Sequence, residues 1–135
     1  MRIVLDTNVL IAAFIARGVC HQLLEHCIRN HDLVTSQFIL DEVREKLVEK
    51  FKYSSETVDE VVRLLRSQME VVTPTSLDAP VCRDTDDDNV LATAATGNCA
   101  CLLTGDKDLL VLKRFQDIDI LSPSDFEEYE KASGL

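Results

Sequence analysis

Two short, unbroken apolar runs, far apart in the chain, each end at an aspartate. Ile3-Val4-Leu5 runs into Asp6-Thr7-Asn8, and Cys101-Leu102-Leu103-Thr104 runs into Gly105-Asp106. An uninterrupted apolar run suits a strand covered on both faces, as in a parallel sheet with helices above and below. Open sheets of that kind bind ligands outside the carboxyl ends of their strands. The two aspartates are therefore expected to meet at one edge. Like charges repel there unless a cation or a shared proton intervenes.

The 135 residues suffice for one domain, expected to span 1–135, with a sizeable core. The 24 acidic residues outnumber the 14 basic ones and leave a net charge of −10. That balance argues against a nonspecific nucleic-acid binder with a basic face, unless clustered carboxylates hold cations that reverse the local field. Five cysteines without a C-x-x-C pair suit a reducing compartment, and no run approaches the ~18 apolar residues of a membrane span. A cytoplasmic protein without a membrane anchor is expected.

Between the two strands the pattern alternates. Helices are predicted over 8–16, 19–29, 36–50, 55–68 and 85–97, with strands at 32–35 and 70–73, and a proline-containing loop over 73–83. A short helix after Asp106, a strand over 118–121 and an acidic helix over 124–131 complete the chain. Strands alternating with helices indicate α/β, here a three-layer α/β/α arrangement around a central, mostly parallel sheet of four to five strands.

Acidic residues on the helices compete for places beside Asp6 and Asp106. Asp88 is followed by Leu91, Ala92 and Ala95, the spacing of one helix face, so it is expected to begin the inward stripe. The competing role is a capping box, Thr85-x-x-Asp88. Asp84, Asp86 and Asp87 read as solvated first-turn acids, with Asp84 and Asp86 as alternates near the site. Glu42 falls at the edge of the apolar face of its helix, between Phe38 and Ile39, while Asp41, Glu45 and Glu49 turn further out. Asn8, Thr7 and Thr104 sit where they can support strand-end carboxylates, and Asp108 either joins them or opens the short helix. His21, His26 and His31 lack zinc-ligand spacing with the cysteines and read as surface or partner-contact residues.

In order along the chain, Ile3-Val4-Leu5-Asp6-Thr7-Asn8-Val9-Leu10, then Glu42 after Val34-Thr35-Ser36, then Asp88-x-x-Leu91-Ala92-x-x-Ala95, and finally Leu103-Thr104-Gly105-Asp106, resemble a PIN domain. The likeness runs from Arg2 to about Leu121 and points to the VapC-like toxins of prokaryotic toxin–antitoxin systems. The resemblance implies a Mg²⁺- or Mn²⁺-dependent endoribonuclease. Asp6, Glu42, Asp88 and Asp106 would be its acidic quartet, supported by Asn8, Thr104, Asp86 and Asp108. It further implies single-stranded or structured RNA as substrate, a cognate antitoxin protein as partner, and a homodimer. Arg44, Lys46, Arg83 and Lys107 are the basic residues expected to touch the RNA backbone. The alternative is a noncatalytic PIN-like module that binds RNA or protein.

Overall fold

The computed structural model describes residues 1–134. Leu135, the last residue of the expected domain, lies outside the described residues. The chain runs β1 (Arg2–Leu5), α1 (Thr7–Ile15), α2 (Val19–Asn30), β2 (Asp32–Ser36), α3 (Gln37–Glu49), α4 (Ser55–Gln68), β3 (Met69–Val72), α5 (Thr85–Thr96), β4 (Cys101–Leu103), α6 (Lys107–Leu110), β5 (Arg114–Phe115), β6 (Ile118–Leu121) and, after a 3₁₀ turn at Pro123–Asp125, α7 (Phe126–Ala132).

The strands form one sheet in the order β3-β2-β1-β4-β6-β5. The first five in that order pair in parallel, whereas β5 pairs antiparallel with β6. The sheet thus has six strands where four to five were expected. The additional one is the two-residue β5, turned back through Gln116 in a positive-φ conformation. It is too short to show an alternating pattern in sequence.

The architecture is three-layered, as expected. Parallel crossovers are right-handed. The chain steps from β1 to β2 to β3 in one direction and then returns to the other side of β1 to form β4. Helices α1 to α4, which pack on one another, therefore cover one face, and α5, which packs on β1, β2 and β4, covers the other. Ile3, Val4, Leu5, Leu102 and Leu103 are sealed between the layers at 0–1% exposure, which is why these runs carry no polar residue. On α4, Val58, Val61, Val62 and Leu65 all point inward.

The reversal of direction makes the β1/β4 boundary the switch point of the sheet, where the loops after neighbouring strands part and leave a crevice. Register places Leu5 beside Leu103, so Asp6 follows directly opposite Thr104. Gly97 ends α5, but at φ −78°, which any residue can adopt. Its need for glycine is steric: a Cβ there would lie 2.6 Å from Val34 Cγ1.

Candidate functional site

Asp6 is the pivot of the crevice. Its backbone N–H extends the β1/β4 ladder by donating to the Leu103 carbonyl (2.9 Å). Its carboxylate then caps α1, accepting from the Thr7 N–H (2.7 Å), and accepts from Thr104 Oγ1 (2.7 Å) on the neighbouring strand. Only 6% of the residue is exposed. Burial pushes its pKa above the usual aspartate range, the Thr104 and Thr7 hydrogen bonds oppose that rise, and Asp106 adds to it.

Thr104 also accepts from the Asp106 N–H (3.0 Å), and Asp106 caps α6 by accepting from the Asp108 N–H (2.9 Å). One threonine hydroxyl thereby ties the two strand-end acids together. Glu42 enters from α3, whose start is held by the Ser36 cap and by Thr93 Oγ1 of α5 donating to Ser36 Oγ (2.9 Å). Thr7 Oγ1 donates to Glu42 Oε1 at 2.8 Å. Partial burial raises the Glu42 pKa, while Thr7 and Lys46 hold it down.

The fourth inward acid is Asp87, and this corrects the expectation for Asp88. The residues buried on the inner face of α5 are Asp87, Val90, Leu91 and Ala94, spaced i, i+3, i+4, i+7, with Asp87 at 8% exposure. Asp88 is one step round the helix. Its carboxylate accepts from the backbone N–H groups of Cys82 (2.8 Å) and Val81 (3.2 Å) and so pins the preceding loop. The capping-box alternative fails too, since Asp84 is the residue that caps α5, accepting from the Asp86 N–H (2.9 Å). The misreading has a physical cause. Val90 to Ala94 are all buried, so several helical phases fit the apolar pattern equally well.

Asp6, Glu42, Asp87 and Asp106 line one cleft of about 100 Å³, with Asp84, Asp86, Asn8 and Lys46 also contributing to its walls. The pKa of Asp87 is pushed up to about 7, first by burial, then by Asp106 and Asp6. Carboxylate oxygens of Asp87, Asp106 and Asp108 lie within 4.8 Å of one another. These three donors are hard oxygens at a spacing suited to Mg²⁺ or Mn²⁺, Asp6 and Glu42 line the same cleft, and the crowding of acids is the strain that a cation relieves. On both counts the residues fit such an ion.

The remaining expected groups divide. Asp86 is exposed at the wall, Asn8 is exposed and accepts from Lys46 Nζ (3.3 Å), and Asp108 is held by Arg83 at 3.0 Å. Of the four basic residues, Lys46 lines the cleft, while Arg44 is tied to Asp59 on α4. His31, expected at the surface, is instead buried, its side chain 3% exposed against Glu130. Thr7 as the partner of Glu42 has no local sequence signal, because the two are joined only by the packing of α1 on α3.

A family model described as PIN domain matches residues 2–108. The uncharacterized protein MJ1680 of Methanocaldococcus jannaschii is 32% identical over 148 aligned positions, covering 97% of this chain and 93% of that protein. Among solved structures, VapBC-1 from nontypeable Haemophilus influenzae superposes with a TM-score of 0.65 at 18% identity, covering 92% of this chain and 99% of that one. VapBC2 from Rickettsia felis, bound to a DNA fragment from its promoter, gives 0.63 at 15% identity, over 89% and 97%. FitAcB from Neisseria gonorrhoeae gives 0.58 at 16% identity, over 90% and 98%.

Proposed function

The chain belongs to the PIN-domain family, and from that premise we propose that it is a divalent-metal-dependent endoribonuclease, the toxin of a toxin–antitoxin pair. The observation that carries the reading is the convergence of Asp6, Glu42, Asp87 and Asp106 on one cleft, with Asp87 pushed up to about 7 by burial and neighbouring charge. Buried like charges cost stability, and a module that only binds RNA or protein has no use for them.

Asp6, Glu42, Asp87 and Asp106 would hold Mg²⁺ or Mn²⁺. When bound, the ion supplies activation of a water for attack on phosphorus and stabilisation of charge on the phosphoryl oxygens. Thr104 and Thr7 orient the Asp6 and Glu42 carboxylates in the cleft wall. Asp87, whose pKa burial, Asp106 and Asp6 push up to about 7, would hold the ion as a carboxylate. Lys46 is placed to meet a phosphate oxygen of the backbone and Arg83 lies further out, on a loop pinned by Asp88. A cleft this narrow takes an accessible phosphate, which favours single-stranded or looped RNA over a regular duplex. The likeness to VapBC and FitAcB assemblies supports an antitoxin protein as partner, and the family resemblance supports a homodimer.

The test is cleavage of a labelled single-stranded RNA by the purified chain with Mg²⁺ or Mn²⁺, with excess chelator, and with Asp106→Asn. Cleavage that needs the ion and the aspartate is expected. Binding without cleavage in every condition would favour the noncatalytic module.

A further inference from the structure

A second group of ionisable side chains lies at the other end of the sheet. His26 projects from α2, His31 follows α2 directly before β2, and Glu130 comes from α7. Both imidazole Nε2 atoms converge on one oxygen, Glu130 Oε2, at 2.7 Å from His26 and 2.5 Å from His31. The rings meet edge to face with centroids 5.8 Å apart, and Phe126 packs against both. We infer that His26, His31 and Glu130 form a site for a borderline-soft divalent cation of the Zn²⁺ class, which joins α7 to the amino end of β2. The inference is independent of the ribonuclease reading.

Two features of the geometry carry it. First, the donor set is two imidazoles and a carboxylate, the mixture that suits Zn²⁺ and not Mg²⁺. Second, the spacing is nearly right. The three ligand atoms lie within 4.8 Å of one another. Zinc bonds of about 2.0–2.1 Å place tetrahedral ligands about 3.3 Å apart, so each Nε2, at 2.7 or 2.5 Å from Glu130 Oε2, needs to spread from it by less than about 1 Å. The rings are also contacted from behind. The Met1 nitrogen lies 3.1 Å from His31 Nδ1, and Asn30 Nδ2 lies 3.3 Å from His26 Nδ1. Both of these groups are donors, so in the metal-free protein each Nδ1 accepts and each Nε2 donates its proton to Glu130; a cation at the Nε2 atoms requires that proton to move to Nδ1 and the Met1 and Asn30 donors to turn away.

The site also has an approach. The His26 side chain is 43% exposed. It faces a surface cleft of about 470 Å³ between α2 and α7, bounded by Leu23, Pro123 and Phe126. That cleft leaves room for water at a fourth position. Without a cation, Glu130 takes both rings as hydrogen-bond partners, and His26 and His31 hold its pKa below the usual glutamate range.

The experiment is a calorimetric titration of the full chain with Zn²⁺ alone. It is run on Asp106→Asn, which disarms the acidic cleft, and on Asp106→Asn combined with His26→Gln. His26→Gln changes a half-exposed side chain, and thermal melting without metal checks that it folds. One Zn²⁺ per chain is expected in the first, weakened by more than about 100-fold in the second. Repeating the pair in otherwise unaltered protein with excess Mg²⁺, which competes for carboxylates but poorly for imidazoles, should give the same difference. Equal Zn²⁺ binding with and without His26, or none in either, overturns the site. Neither result bears on RNA cleavage.

Discussion

The acidic cleft and the His26–His31–Glu130 group stand at opposite ends of the same parallel sheet and solve opposite electrostatic problems. At the carboxyl ends of β1 and β4, four acids are crowded, with Lys46 as the cation on the cleft wall. At the amino end of β2, one acid has two hydrogen-bonding partners and is satisfied within the chain. Burial raises the pKa of Asp87, whereas hydrogen bonds lower that of Glu130. A site that is satisfied alone contributes to stability. A site that is not satisfied lowers stability until something from outside completes it.

The largest effect should come from removing charge at the cleft. Asp6→Asn and Asp106→Asn should each cut metal-dependent RNA cleavage by at least ~100-fold, because each removes a ligand charge. Initial rates on a labelled RNA measure this, and near-normal rates in either variant would remove the cleft from the chemistry.

Next comes the contrast within α5. Asp87→Asn should abolish cleavage. Asp88→Asn should keep most activity but lose about 1–2 kcal/mol of stability, since it weakens the charged acceptor that holds the Val81 and Cys82 N–H groups. Rates and denaturant midpoints on both variants decide the point, and the reverse ranking would mean that α5 is rotated relative to the structure described here.

A smaller effect separates the two regions by pH. In the unfolded chain Asp87 releases its proton near the ordinary aspartate value, and in the folded chain at about 7. Between those values the folded state binds the extra proton. Metal-free stability should therefore fall as pH rises from about 4 to about 7. Asp87→Asn should flatten that slope and stabilise the metal-free protein at pH 7.5 by on the order of 1 kcal/mol. Mn²⁺ should raise the melting temperature of the wild type and much less that of Asp6→Asn. Urea titrations and melting curves across this pH range would contradict the picture if the wild type were most stable at the alkaline end.

The smallest effect has the opposite sign. Glu130 has a lowered pKa in the folded state, so its contribution is present above the unfolded value and is lost as pH falls through the folded one. Glu130→Gln should destabilise the metal-free protein at neutral pH by about 0.5 kcal/mol, where Asp87→Asn stabilises it. Two substitutions of the same kind with opposite outcomes would define the difference between the regions, and equal outcomes would erase it.

Much of the fold was legible because it rests on local pattern. The runs Ile3–Leu5 and Cys101–Leu103 suited covered strands, which they form, and Asp6 and Asp106 followed by position, since a strand's end is where its next residue lies. Glu42 was legible to the edge of its helix face. The β5 hairpin was not, because two residues carry no period.

Sequence by itself determined the α/β alternation, the sheet edge that would hold the acids, and three of the four that meet there. Tertiary structure alone decided between Asp87 and Asp88, because a helix apolar at Val90, Leu91, Ala92, Ala94 and Ala95 fits more than one phase and only its packing on β1, β2 and β4 selects one. It also decided that Thr7 would hold Glu42, and that two histidines with no legible spacing would close on a glutamate from the last helix. In each case the partners are brought together by packing between elements distant in the chain, which no local periodicity encodes.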